Sequence, residues 1–297
     1  MKIISKFIVL LLILLFFFVS YMTFVGLETK RLNNQIAEKI KDIDESLELK
    51  LKKIKIIFDP TSFSINAKTI GPRLLAKNKV IEIESIKTRV SLNSLIKNKF
   101  SLENLEISTK SLKVKDLVSF IRAVNNSTEL YILEKVIQKG YMVGDIHLDF
   151  DEDGNINNNY LINGFVKDLE IDIFKRYNFK DINFIFDFEK NQFITKDTSF
   201  KFNGVNFSSE KVSVKKIKDN FFVRALVSNN KISLSQKKIE DLIIPIVSNL
   251  SFKNVTFSSN NIFSFVLSKK FKMKDLELES IILLEELHLN NNFDLKK

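Results

Sequence analysis

The residues able to do acid–base, metal or covalent chemistry are few and scattered. The chain holds two histidines, His147 and His288, and no cysteine. Without thiolates there is no disulfide, no soft metal ligand and no sulfur nucleophile. His147 lies in an alternating run beside Leu148, and His288 follows Glu285 and Glu286, with no spacing motif linking the two. Asp145, Asp149 and Asp151 fall at even spacing with Phe150 on the opposite side, the wet face of a strand with no pocket gathered around it. The run Asp151-Glu152-Asp153-Gly154-Asn155 is faintly like a calcium loop. An EF-hand loop, however, opens Asp-x-Asp-x-Asp-Gly, ends on a glutamate at position 12 and is flanked by helices. Here the flank is strand, so the run reads as a polar hairpin turn. No catalytic residue, metal site or cofactor is expected, and the chain is not expected to be an enzyme.

Composition points the same way. Against 28 Phe there are 7 Gly, 3 Pro and no Trp, which does not suit a glycine-loop nucleotide enzyme. With 45% hydrophobic and 28% charged residues the chain can build a core and is not wholly disordered. Lys+Arg 46 against Asp+Glu 36 gives +10, but the excess is spread along the chain. Nucleic-acid binding asks for a concentrated basic patch, and none is expected to form.

The elements that would position any site begin with an apolar helix. Lys2 and Lys6 precede an apolar run from Phe7 to Leu27 that rises about 31 Å as a helix, the thickness of a hydrocarbon core. Candidate signal-cleavage pairs, Phe18/Ser20 and Phe24/Gly26, each place a bulky Phe where a small residue is wanted. The reading is an uncleaved, single-pass signal anchor over residues 1–27. Lys2 and Lys6 hold the N-terminus inside, whereas Lys30, Arg31, Lys39 and Lys41 argue the reverse, so charge alone leaves the topology open. These four basic residues either contact anionic headgroups or solvate a helix. Leu32, Ile36, Ile40, Ile43 and Leu47 step at helical spacing, a juxtamembrane helix within 28–48.

From Leu47 the period becomes two, slips at Lys52-Lys53 and stops at Asp59-Pro60. Strand-like runs follow at Val80–Ile86, Thr88–Leu92, Leu102–Ile107 and Leu112–Val114, with a helical turn at 93–99. Residues 114–139 read as two helices broken at Asn125–Thr128. This α+β part spans 49–140. From 141 to 297 nearly everything is strand. The runs include Phe179–Phe188, Gln192–Thr195, Phe200–Phe202, Val205–Phe207, Val212–Val214, Phe221–Val227 and Ile232–Leu234. A short helix at 237–246 precedes further strands from Leu250 to Leu289. Strands of about 5–8 residues between short polar turns indicate an antiparallel meander with one apolar, Phe-rich face. That face must be hidden by a second sheet, as in a sandwich or barrel, or must curl into a trough that holds an apolar ligand.

The segment VIEIESIKTRVSLNSLIKNKFSLENLEISTKSLKV (80–114) resembles the opening of the AsmA-like family, the TamB- and YhdP-type envelope proteins. The strand, short helix, basic turn, strand, strand unit of that family matches Val90–Val114. The segment YLINGFVKDLEIDIFKRYNFKDINFIFDFEKNQFITKDTSFKFNGVNFSSEKVSV (160–214) is similar to its repetitive strands. The resemblance implies a mainly β fold with an N-terminal transmembrane helix: an elongated, curved antiparallel sheet, the repeating β-groove, with a few covering helices. It further implies a bacterial inner-membrane protein, N-terminus cytoplasmic and bulk periplasmic, that supports phospholipid transport to the outer membrane or its assembly. At about 4.8 Å per strand, some fifteen strands span about 70 Å. That is short for a complete bridge and implies a fragment or an outer-membrane or periplasmic partner.

On this reading acyl chains are the ligand, and Phe184, Phe186, Phe188, Phe200, Phe202, Val223 and Phe252 line the trough by alternation. Burial of acyl surface, roughly 0.8 kcal/mol per CH₂, would drive binding. One alternative is an anchored scaffold whose closed β-sandwich binds a protein partner. Another is a bitopic lipopolysaccharide-export component of the LptC type, against which the helical interruption at 115–139 argues.

Overall fold

The computed structural model describes residues 2–30, 33–91, 102–151, 160–173, 175, 177–242, 252–268, 272–289 and 294–296. The expected helical turn at 93–99, most of the Asp151–Asn155 turn, and Arg31 lie outside the described residues. The chain divides into two compact units, residues 1–112, 123–125 and 144–162 in the first, and 113–122, 126–143 and 163–297 in the second. The fold is mainly β, with antiparallel ladders and few helices.

The first unit opens with helix α1 (Lys2–Phe24), of which Ile4–Phe24 is long and apolar enough to cross a membrane. A signal sequence passes the same test of length and apolarity. The helix ends where the Val25 and Gly26 amides both donate to the Tyr21 carbonyl. Gly26 has φ +76°, and a Cβ there would sit 2.6 Å from the Ile56 carbonyl oxygen, so only glycine fits this approach. The chain passes directly into β1 (Leu27–Thr29), which pairs with β3 (Lys53–Asp59). The helix expected within 28–48 is therefore shorter, α2 (Asn33–Ile43), because residues 27–29 are claimed by the ladder. The α2 start is tied down by Asn33, whose side-chain amide donates to the Leu51 and Lys52 carbonyls.

The slip at Lys52-Lys53 separates β2 (Leu47–Lys50) from β3. The first pairs with β5 (Arg73–Ala76) and the second with β4 (Ser64–Ile70). Both sets converge on β6 (Lys79–Ser91), one long strand where two had been read, and β7 (Leu102–Thr109) follows it. Leu49, Ile54, Ile81, Ile83, Ile86 and Val90 form the core of this unit.

After β8 (Leu112–Lys113) come helices α3 (Val114–Val124) and α4 (Thr128–Val136). They break as the sequence indicates, with the Ser127 hydroxyl accepting from the Leu130 amide as N-cap. The second unit then runs as a meander. Its strands are β9 (Ile137–Asp149, of which residues 144–149 belong to the first unit and pair there with β7), β10 (Leu161–Ile173), β11 (Tyr177–Glu189), β12 (Gln192–Phe202), β13 (Val205–Ile217) and β14 (Asn220–Ser235). Helix α5 (Gln236–Leu242) separates β14 from β15 (Phe252–Ser268), β16 (Met273–Leu289) and β17 (Asp294–Lys296). The ladder proceeds strand to strand in chain order.

The strands are longer than the sequence suggested. Gln192–Thr195 and Phe200–Phe202 are two halves of β12; Val205–Phe207 and Val212–Val214 are halves of β13. The cause is a one-residue slip in mid-strand. On β12, Thr195 and Thr198 are both buried while Lys196 and Asp197 are exposed, and Asp197 takes φ 49°. The same buried–exposed–exposed–buried order occurs at 166–169, and 209–212 and 229–232 run buried, exposed, exposed, half-buried. Asp168 and Asp181 share the left-handed conformation at φ 51° and 50°, and register shifts flank Lys180–Ile185, Ser208–Lys211 and Asn229–Ile232. A slip of this kind bends a strand. The exposed residues at the slips project from the polar face, called the convex face below, opposite the apolar or inner face.

Candidate functional site

The inner apolar face of the second unit is built by register. Phe186 and Phe188 on β11 stand opposite Thr195 and Phe193; Phe193 stands opposite Val214, Val214 opposite Val223, and Val223 opposite Phe265. One row further along, Val212, Ala225, Phe263 and Leu278 pair in turn. Directly opposed residues share a face, so an apolar lane crosses six strands from β11 to β16. Behind it Ser213, Arg224, Ser264 and Glu277 follow one another in register as a polar row, with Ile194 its one apolar neighbour on β12.

Rings hold the lane together. Phe186 is 5% exposed and stacks on Phe193 with centroids 5.7 Å apart, and Phe184 meets both edge-on. A second lane lies across the slip line. Phe179 packs on Phe202 at 4.7 Å and on Phe200 at 6.1 Å, and Phe200 stacks on Phe207 at 5.6 Å. Further along it, Ile232 pairs with Phe257 and Leu234 with Val255, then Val255 with Leu287.

Between the lanes runs a polar seam. Thr195, Thr198, Ser209, Asn229 and Ser259 are all buried. The Thr195 and Thr198 hydroxyls bond each other at 2.9 Å, and the Ser259 hydroxyl donates to the Asn229 side-chain oxygen. Asn229 in turn donates to the Phe257 carbonyl, and Asn261 donates to Ser259 and to the Val227 carbonyl. Small hydroxyl and amide side chains thus occupy the buried positions at the slips. Because the seam satisfies most of its own hydrogen bonds, it does not break the dryness of the lanes.

The structure thus sorts the sequence candidates. Phe184, Phe186, Phe188 and Val223 belong to the first lane. Phe200 and Phe202 belong to the second, as does Phe252, which is in register with Leu289 beside the Val255–Leu287 pair. Phe179, Phe193, Phe207, Phe263 and Phe265 complete the lanes and were not singled out beforehand. Every described strand of this unit belongs to the one ladder, and among the described residues β17 does not pair back to β9. The sandwich or barrel closure is therefore not what the unit adopts.

The convex face carries the charge. Lys201 pairs with Asp181 at 2.8 Å and holds its carboxyl below the ordinary aspartate value. Glu170 beside Lys139 and Glu285 beside Lys231 raise those ammonium groups. These are solvent-facing pairs that keep the polar face wet and contribute little to stability. Lys30 and Lys41 are exposed in the first unit, at the end of β1 and in the last turn of α2; the Lys39 side chain lies outside the described set. His147 is half-buried on β9, in register with Glu106, and His288 lies 3.6 Å from Glu286. Among the described residues no three His, Asp or Glu side chains gather as a metal site requires.

Comparison with known protein families, curated proteins and solved structures finds no match.

Proposed function

We propose that this protein is anchored by α1 in a bacterial inner membrane and shields acyl chains along the inner face of its second unit. In that role it supports phospholipid transport to the outer membrane, or outer-membrane assembly, as a non-enzymatic carrier surface of the repeating β-groove kind. The observation that carries the reading is the register: two apolar lanes continuous from strand to strand, with no second sheet of the same unit packed over them among the described residues. Apolar surface on this scale is rarely left bare. Each lane offers a track for a hydrocarbon chain, worth roughly 0.8 kcal/mol per buried CH₂, while charged headgroups remain at the wet margins. The basic residues Lys30, Arg31, Lys39 and Lys41 follow the anchor and suit anionic headgroups.

A photoreactive phenylalanine analogue placed at Val223, with Arg224 as its convex-face control, tests the reading in cells. Lipid adducts at position 223 and none at 224 are the expected result. Equal labelling at both positions, or protein adducts alone at 223, would sink it.

A further inference from the structure

The polar face of the first unit gathers positive charge that its own acids leave unbalanced. Lys55 on β3 stands opposite Lys68 on β4, and Lys68 opposite Lys87 on β6. Directly opposed residues share a face, and like charges so placed repel. One row along the same strands comes Arg89, opposite Asn66, whose side-chain oxygen accepts from the Arg89 Nε at 3.3 Å. The nearby acids are engaged at the two margins, Glu28 with Lys53 at 2.8 Å and Glu106 with Lys87 at 3.5 Å. Among the described residues no carboxylate lies within ion-pair distance of Lys55, Lys68 or Arg89. The row therefore favours an anion supplied from outside the chain.

Its place in the fold identifies that anion. β3 runs past the start of β1: Leu27 pairs with Ile56, so Ile57, Phe58 and Asp59 continue alongside the end of α1. The helix meets the unit only there, with Val19, Ser20, Met22 and Thr23 half-buried and residues 4–18 exposed. The Lys55 stem passes 3.3 Å from the point a Gly26 Cβ would occupy. With Ile4–Phe24 filling a hydrocarbon core of about 30 Å, the row Lys55–Lys68–Lys87 falls in the headgroup layer. The β3–β4 turn then lies beside the last turns of the helix. It carries Phe63, 46% exposed and edge-on to Phe58 at 6.2 Å, an apolar ring suited to the boundary between headgroups and acyl chains. An acidic protein would supply the same charge, but only lipid is already beside α1.

We infer that the first unit binds the phosphate of an anionic phospholipid through Lys55, Lys68 and Lys87, with Arg89 beside them, and that the β3–β4 turn meets the bilayer through Phe63. Each of these cations is attracted to an anionic surface. The inference rests on α1 being an anchor, and not on what the apolar lanes hold.

The chain contains no Trp, so single substitutions report depth without interference. The full chain is placed in nanodiscs whose lipids carry bromine near the top of the acyl chains. F63W and F16W should both be quenched, and N78W, in the β5–β6 turn at the opposite end of the unit, should not. Quenching of F16W without F63W overturns the inference and leaves the anchor standing; quenching of neither removes both. A second arm titrates the detergent-solubilised full chain with phosphatidylglycerol or phosphatidylcholine, read by native mass spectrometry. Phosphatidylglycerol should bind about tenfold more tightly. K55Q/K68Q should abolish that preference and leave phosphatidylcholine binding, a property of the lanes, unchanged. Lys68 is exposed and Lys55 half-buried, and losing opposed like charges relieves repulsion, so the variant keeps the fold. The absence of a preference, a preference untouched by the double variant, or inorganic phosphate binding as tightly as the lipid overturns the inference.

Discussion

At the scale of single residues, Phe186 concentrates the packing of the first lane. It is nearly buried although the face around it is open, because Phe193 stacks on it and Phe184 abuts its edge. Phe186→Ala removes both contacts, and is expected to destabilise the second unit by about 3 kcal/mol, read from denaturant unfolding of the detergent-solubilised chain. Val223 is only half-buried in the same lane, so Val223→Asp should leave the unit folded while abolishing lipid retention, seen by extracting lipid from the purified protein. A residue of another kind, Asp59, fixes the β3–β4 turn. It accepts from the Thr61 amide and hydroxyl at 3.0 and 2.6 Å and from the Ser62 hydroxyl at 2.8 Å. Those bonds, Thr61's hydroxyl first, lower its carboxyl from 3.8 to about 2. A lowered carboxylate contributes stability that is present above its ordinary value and lost as pH falls through the folded value. The Thr61 and Ser62 amides should therefore stay protected from exchange at pH 4 and open only as pH approaches about 2. An opening centred near the ordinary aspartate value would show that the turn does not depend on this carboxylate.

At the scale of elements, the slip line decides which residues meet. The tetrapeptides Val166-Lys-Asp-Leu169, Phe179-Lys-Asp-Ile182 and Thr195-Lys-Asp-Thr198 place an aspartate at φ 51°, 50° and 49° in three successive strands. Met273-Lys-Asp-Leu276 repeats it at 52° on β16. A β-branched residue cannot take that conformation cheaply, whereas glycine can. Asp197→Val should cost about 1–2 kcal/mol and Asp197→Gly close to nothing. Deleting Asp197 should turn Phe200 and Phe202 to the convex face, since a one-residue change reverses every following side chain. The chain has no cysteine, so a single Cys at position 200 reports this directly, going from slow to fast maleimide labelling. This same slip explains what the sequence did and did not reveal. The alternation of Phe184, Phe186 and Phe188 was legible, because period two places every second side chain on one face. The continuity of β12 through Asp197 was not, because a break in alternation looks like the end of a strand, and Lys-Asp is no turn signal of the Asn-Gly kind. Nor could Phe200 and Phe202 be assigned to a lane separate from Phe186, since that depends on cross-strand register, which the slips set. The repeated Lys-Asp tetrapeptide was present in plain view, and only its left-handed aspartate shows what it does.

At the scale of the whole molecule, the open question is what becomes of α1. Its apolar side chains face outward along its length, with Phe16 68% and Phe24 83% exposed, a surface that membrane insertion would cover and signal cleavage would remove. Its end is tied into the first unit: Gly26 sits against the Ile56 carbonyl, and β1 pairs from Leu27. Lys53 closes that pairing with an ion pair to Glu28 at 2.8 Å, and lowers the Glu28 carboxyl by hydrogen bonding to it. A cleavage after Gly26 would leave β1 as a free terminus, held by three residues of ladder. An intact anchor would hold the same strand from both ends, the arrangement the proposed function calls for. An epitope tag ahead of Met1, with a second tag after Lys297, separates the cases. Both tags should remain on one polypeptide of uncut mass, in the membrane fraction, and resist alkaline carbonate. Loss of the N-terminal tag, with the remainder released by carbonate, would make α1 a signal sequence. The second unit would then act as a soluble carrier, and Lys30, Arg31, Lys39 and Lys41 would lose their place beside the headgroups.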